Sequence, residues 1–295
     1  MRLGLPTSVF GRTFTPTLID ALDAAGVSTV EVVGPVPSCA FDQPDVRRVL
    51  RERLRDAHVR VRSVHLPYGT RLDLSHPEPD RRMSAVAATA ANLRAASALG
   101  TALAVVHPSA EPIDDAVRPA HLDGARRSLE TLAPIAADLG VPLAVECLPR
   151  SCLGHTAAEL AALVAVVDPA PVGVCLDVNH LNLREPDLER AVGVLGARLL
   201  TLHCSDNDGV DERHWLPGDP RGVIDWDAFF RGLAAVSYRG PFVYELRPLE
   251  LDVTATLACI VENFGAVVAP RWRAITDGRH TQPAAGDADA PAAHT

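Results

Sequence analysis

The amino-acid sequence predicts an α/β fold, a single (β/α)8 TIM barrel with eight parallel strands. Three observations predict it. Eight short apolar, β-branched runs alternate with eight longer segments whose apolar residues recur every three or four positions, strand and amphipathic helix in turn. The chain has 295 residues, enough for the roughly 250 that such a barrel uses in one domain. Six successive runs end in an acid or a histidine, and strand C-terminal ends are where these barrels place their chemistry.

Taken in order, strands are expected at residues 3–6, 29–33, 60–65, 102–107, 142–147, 172–177, 199–203 and 242–246. Helices are expected at 16–25, 45–58, 79–99, 118–139, 156–167, 187–195, 225–236 and 253–268. Leu129, Leu132, Ile135 and Ala136 illustrate the helical spacing. Gly26, Gly100 and Gly140 each follow a helical segment, where a left-handed cap favours glycine. The barrel is assigned to residues 1–270. Residues 271–295, rich in Ala, Asp and Pro, read as a low-complexity tail expected to be disordered.

Composition narrows the function classes. Hydrophobic residues make up 47% of the chain, ample for a large core, and no unbroken apolar run approaches the roughly 18 residues of a membrane span. The N-terminus lacks the charged and apolar regions of a signal peptide, so a cytoplasmic location is expected. Six scattered cysteines without a CxxC pair point to reduced core thiols. A net charge of −9 disfavours a polyanionic partner. The arginines between Arg47 and Arg55 fit the solvated face of an amphipathic helix. Aromatics at 4% leave few stacking platforms, which favours a small polar ligand over long carbohydrates or single-stranded nucleic acid.

The chemistry gathers in residues 199–226. An apolar run ends at His203 and opens into a loop holding Asp206, Asp208, Asp211, Glu212 and His214 among turn formers. The other strand ends supply His65, His107, Glu146, Asp177 with His180, and Glu245 with Arg247. Two glutamates, an aspartate and a histidine on adjacent strands form a mixed oxygen and nitrogen donor set suited to one divalent Mn, Mg, Co or Zn. Cys147 and Cys204 follow Glu146 and His203 directly, so strand alternation turns them away from the ligands.

The segments HCSDNDG and ERHWLPGDPRGVIDW, CLDVNHLNL, VVHPS and SVHLPYGTRLDLS carry a family resemblance. The chain resembles the xylose-isomerase-like TIM-barrel superfamily, in its sugar phosphate isomerase/epimerase branch, over about nine-tenths of its length. The resemblance implies a metal held by Glu146, Asp177, His203 and Glu245. Glu146 and Glu245 would also move protons on either face of the substrate carbon. His180 would hydrogen-bond a substrate oxygen, with Arg247 a further substrate group. The implied activity is epimerisation or isomerisation of a small sugar, keto-sugar or cyclitol by proton abstraction beside a carbonyl, through a metal-stabilised enediolate. A keto-sugar or cyclitol dehydratase would use the same set.

The chain also resembles the AP endonucleases of the same superfamily. That likeness aligns His65, His107, Glu146, Asp177, His180, His203, Glu212, His214 and Glu245 with a nine-ligand site. It implies two or three metals and phosphodiester hydrolysis as the alternative. Glu212 stands there in place of an aspartate, with Asp211 one residue before it. The expected partner is a small polar carbohydrate-like substrate, with no nucleic acid and no membrane. Pairing of barrel helices in a homo-oligomer is left open. No glycine-rich phosphate cradle is present. Specificity is expected from the loops 35–42, 68–79 and 109–117.

Overall fold

The computed structural model describes residues 1–11, 14–34 and 40–280. Eight strands form one parallel sheet: β1 (Arg2–Pro6), β2 (Thr29–Val33), β3 (Arg60–His65), β4 (Leu103–Val106), β5 (Leu143–Glu146), β6 (Val172–Asp177), β7 (Leu199–His203) and β8 (Pro241–Val243). The strands neighbour one another in sequence order, with β8 paired to β1. The last seam closes just above β8: the Cys204 amide donates to the Val243 carbonyl at 2.8 Å, and the Glu245 amide to the Cys204 carbonyl at 3.0 Å. A closed barrel leaves no sheet edge.

The outer ring comprises α1 (Pro16–Ala24), α2 (Pro44–Asp56), α3 (Pro79–Leu99), α4 (Arg118–Leu139), α5 (Ala157–Val164), the single-turn α6 (Val178–Asn182), α7 (Leu188–Leu195), α8 (Trp226–Ala235), α9 (Val253–Asn263) and α10 (Ala269–His280). Prolines open α1 to α4, where a missing N–H costs nothing. Thr15, Thr156, Asp187, Asp225 and Asp252 cap their helices through side-chain oxygens. Apolar residues form two layers. Leu103, Val105, Ala144 and Cys175 fill the barrel interior, while a larger cluster, including Cys147 and Cys204, fills the space between sheet and helices.

Three expectations change. The α10 helix runs to His280, past the boundary expected at residue 270, because Trp272 is buried in the core beside Phe230. The remainder of the expected tail, 281–295, and the segment 35–39 lie outside the described residues. The helical stretch Val253–Gly278 is long and apolar enough, by length and composition, to cross a membrane. A search for unbroken apolar runs passes over it because Glu262, Arg271 and Arg273 interrupt it. In the fold its apolar residues Leu257, Ile260 and Val268 belong to the core. The last strand is also shorter than expected: β8 ends at Val243, and Tyr244 pairs with Cys204 as an isolated bridge.

Candidate metal centre and substrate cleft

Residues two apart on a strand share a face. Leu103, Val105, Ala144 and Cys175 point into the barrel, so the next residue on the same face of each strand comes out one layer higher. Those residues are His107, Glu146 and Asp177. Ser63 and His65 on β3, and Thr201 and His203 on β7, follow the same alternation. The polar strand ends therefore meet at the C-terminal mouth because the apolar positions beneath them are in register.

Glu146 is the hub. Its Oε2 lies 3.0 Å from Nε2 of both His65 and His107, and its Oε1 lies 3.0 Å from Nδ1 of His203. His203 Nδ1 is also 3.4 Å from Glu245 Oε2. On its other side, His203 Nε2 sits 3.0 Å from Glu31 Oε1 without the alignment of a hydrogen bond. Glu31 is in turn fixed by the Ser63 hydroxyl, which donates to its Oε2 at 2.6 Å. Asp177 caps α6, accepting the His180 amide at 2.9 Å, and His180 Nδ1 is held 2.9 Å from the Cys147 carbonyl.

Possible ligand atoms fall into three groups, within 4.8 Å of one another in each: His65, His107 and Glu146; Glu146, Asp177, His203 and Glu245; and His180, Glu212 and His214. The second group fits a divalent cation on an observation independent of its composition. Asp177 Oδ2 and Glu245 Oε2 are buried without a hydrogen-bond partner. An unpartnered buried carboxylate oxygen is costly, and a cation between the two would remove that cost. No cysteine belongs to any group. Burial pushes the Cys147, Cys175 and Cys204 thiols up, so they stay protonated.

Without a metal, protons do part of its work. Burial by itself would raise the Glu146 carboxyl, but His203 and His107 outweigh it and hold it well below the usual range. Burial raises Asp177 well above it, reinforced by the adjacent Glu245 charge. Burial opposes a charge on His203, yet Cys175, Glu31, Glu245 and Glu146 together push its imidazole well up from 6.5. Burial lowers His180 to about 4, leaving a neutral ring. Both shifts favour the proton-bearing forms of His203 and Asp177, and those protons must be lost for the two groups to act as ligands. Mn²⁺ affinity is accordingly expected to rise with pH through neutrality, by about tenfold per unit for each proton released. Calorimetry in buffers of different ionisation enthalpy checks this; an affinity independent of pH would contradict it.

The loop after β7 is held by Asp206, which is buried. Its Oδ2 accepts the Trp226 indole N–H at 2.8 Å and the Gly218 amide at 3.0 Å; its Oδ1 accepts the Asn207 amide at 3.0 Å. A Cβ at Gly222 would lie 2.3 Å from the Asp206 carboxyl carbon, so only glycine fits there. Gly222→Ala is expected to cost about 3 kcal/mol in urea unfolding and to displace Glu212 and His214. A variant of unchanged stability would show that the loop yields freely.

His65, His107, Glu146, His180, Glu212, His214 and Glu245 line a cleft of about 380 Å³, which also takes in Tyr68, Ser109, Glu111 and Arg150; Asp177 and His203 are buried and do not line it. The loops expected at 68–79 and 109–117 contribute to it. Nine of the residues singled out from sequence are brought together. Glu212, rather than Asp211, joins the third group; Asp211 is exposed and faces Arg213 at 3.4 Å. Arg247 corrects an expectation. It is exposed, does not line the cleft, and donates to the Glu212 carbonyl at 2.9 Å.

Sequence reasoning passed over Glu31, Tyr68 and Arg150. An acid inside an otherwise apolar strand needs a buried partner, and that signal could have found Glu31. Tyr68 stacks on His107 with ring centroids 4.0 Å apart. Arg150 bridges Glu111 and Glu212 across the cleft. Both Arg150 and His214 hold left-handed backbone, φ 52° and 50°, at a cost of about 1 kcal/mol or more each.

A closed barrel with a carboxylate–imidazole cluster at its C-terminal mouth defines the class. The chain belongs to the xylose isomerase-like TIM-barrel family, matched over residues 19–262. Among curated relatives, the ketose 3-epimerase of Arthrobacter globiformis is 27% identical over 128 residues, covering 43% of this chain and 42% of that protein. The D-psicose 3-epimerase of Ruminiclostridium cellulolyticum is 32% identical over 120 residues, covering 40% and 39%. Matches to the curated relatives span less than two thirds of those proteins' length. Among solved structures, a D-tagatose 3-epimerase-like protein superposes with a TM-score of 0.78 at 22% identity, over 95% of this chain and 100% of that one. D-psicose 3-epimerase from Clostridium cellulolyticum H10 gives 0.74 at 22% identity, over 94% and 96%.

Proposed function

We propose that the protein is a divalent-metal-dependent sugar epimerase acting on a small ketose, inverting a carbon beside the carbonyl. The observation that carries this reading is the Glu146, Asp177, His203 and Glu245 group, which holds two buried, unpartnered carboxylate oxygens and reaches a small polar cleft through Glu146 and Glu245. The named ketose 3-epimerases among the relatives support the substrate class. Hard oxygen donors favour Mn²⁺, Mg²⁺ or Co²⁺. A bound cation would stabilise the negative charge that develops on the substrate oxygens when the carbon-bound proton is removed.

The residues of the chain do the rest. Glu245 is the more accessible carboxylate, its side chain 25% exposed against 1% for Glu146. It is placed to exchange a proton with a substrate carbon in the cleft. Glu146 approaches from β5, separated from the β8 end that carries Glu245 by β6 and β7, and serves the other face, so that one carboxylate removes the proton and the other returns it. His180, neutral and lining the cleft, donates or accepts a hydrogen bond at a substrate oxygen. Tyr68 and His107 form a stacked wall against which an apolar sugar face can rest.

Incubating the protein with Mn²⁺ and a ketohexose panel, followed by sugar chromatography, tests the reading. One epimer pair interconverting supports it; release of water to a dicarbonyl product would instead identify a dehydratase. A second reading rests on the assembly of all three donor groups. His65 with His107 and His180 with Glu212 and His214 extend the set to nine residues, which suits a two- or three-metal phosphodiester hydrolase. Metal content per chain separates them, about one equivalent for the epimerase and two or three for the hydrolase.

A further inference from the structure

The opposite end of the barrel carries an unassigned feature. A cavity of about 860 Å³, more than twice the volume of the cleft, opens where the strands begin, beside the first residues of β1, β2, β3 and β8. Arg2, Arg51, Arg55, Arg60 and Arg62 line it. An adjoining cavity shares Arg2 and Arg62 and adds Arg239. The single acid lining either one is Asp56. This concentration of positive charge stands on a chain whose net charge is −9.

Several arginines elsewhere form ion pairs, while Arg94 and Arg126 form none among the described residues. Arg53 meets Asp20, Arg118 meets Glu159, Arg213 meets Asp208, Arg221 meets Asp219 and Arg231 meets Glu189. None of the six arginines at the strand N-termini forms an ion pair among the described residues. Two are used in part by the fold: Arg51 donates to the Ala98 carbonyl at 2.9 Å and Arg62 to the Leu200 carbonyl at 3.2 Å. The C-terminal ends of α2 and α3 point to this face, and their dipoles account for some of the charge. They do not account for Arg2, Arg55, Arg60 and Arg239, which make no side-chain hydrogen bond among the described residues. Arg62 Nε, moreover, is buried without a partner. Like charges gathered around a cavity repel one another, and an anion in the cavity would relieve that repulsion.

We infer that this face binds a small, multiply charged anion of the phosphorylated-metabolite class, at a site separate from the metal centre. Guanidinium groups match phosphate oxygens in a planar, two-pronged geometry, and several converging arginines recognise phosphate in this way. The cavity is large enough for a sugar phosphate or a mononucleotide. Its place at the strand N-termini, the end that serves stability in these barrels, makes the ligand an effector or a carrier-bound group rather than a substrate.

The test is calorimetric titration of the full-length, metal-loaded protein with inorganic pyrophosphate, repeated on an Arg55→Ala/Arg60→Ala double variant. Both side chains are exposed and make no bond within the fold, so thermal unfolding should be unaltered. Saturable binding to the wild type, weakened at least tenfold in the double variant, supports the site. Binding equal in both proteins would place pyrophosphate at the metal centre and overturn the inference, as would no saturable binding. Tighter binding of a single-stranded oligonucleotide than of pyrophosphate, lost in the same variant, would overturn the small-ligand assignment. Ketose turnover without pyrophosphate should be equal in the two proteins, since none of these arginines reaches the cleft.

Discussion

Glu146→Gln is expected to destabilise the protein by about 3–5 kcal/mol and to abolish turnover. The carboxylate of Glu146 faces three imidazoles at 3.0 Å while 1% exposed, so it balances much of the charge at the barrel mouth. A neutral amide of the same shape keeps the volume but leaves buried His203 without one of the carboxylates that, with Glu31 and Glu245, balance its charge. Removing one partner of a buried charged cluster is costly because the others remain buried. Urea unfolding in chelator should show the loss, and added Mn²⁺ should restore little of it because a metal ligand is gone as well. A variant as stable as the wild type would mean that the imidazoles are neutral and Glu146 is not the hub.

Glu245→Gln should behave differently, and the contrast separates a structural charge from a catalytic one. Its carboxylate stands at the edge of the cluster: the side chain lines the cleft and is 25% exposed, while Oε2 is buried without a hydrogen-bond partner. Its loss is expected to change stability by less than about 1 kcal/mol, while turnover at saturating Mn²⁺ falls by about a thousandfold, the usual scale for removal of a general base. If KM rose and kcat did not move, Glu245 would bind substrate without exchanging its proton.

How much of this was legible follows from periodicity. The β2, β3, β6 and β7 strands and the α3 and α4 helices occupy the expected residues because short apolar runs mark the strands, three-to-four-residue apolar spacing marks the helices, and Gly100 and Gly140 end α3 and α4. Six of the nine clustered residues, His65, His107, Glu146, Asp177, His203 and Glu245, were visible because each ends an apolar run and a barrel brings strand ends together; His180, Glu212 and His214 lie beyond the strand ends and joined the set through the family resemblance. What was missed depends on contacts between distant segments. Arg150 matters because a loop after β5 crosses to Glu212 in the loop after β7, and no local pattern records that crossing. Arg247 looked like a site residue by its nearness to Glu245, yet its side chain donates to the Glu212 carbonyl and does not line the cleft. The final helix was cut short because an Ala/Asp/Pro-rich end hides the buried Trp272 that anchors it. The basic cavity at the strand N-termini was equally hidden. Arg2, the Arg55–Arg60 stretch and Arg239 lie far apart in sequence, and only barrel closure gathers them.

The central claim, carbon-acid chemistry at this metal centre, is tested most directly by solvent exchange. The Mn²⁺-loaded protein, incubated in deuterium oxide with ketohexoses such as D-fructose and D-tagatose, would be followed by proton NMR. The account predicts loss of the C3 proton signal as deuterium enters beside the carbonyl of at least one ketose, at a rate abolished by Glu245→Gln. Retention of that proton in every ketose tested, with hydrolysis of a phosphodiester by the same preparation, would contradict it and assign the site to the multi-metal chemistry instead.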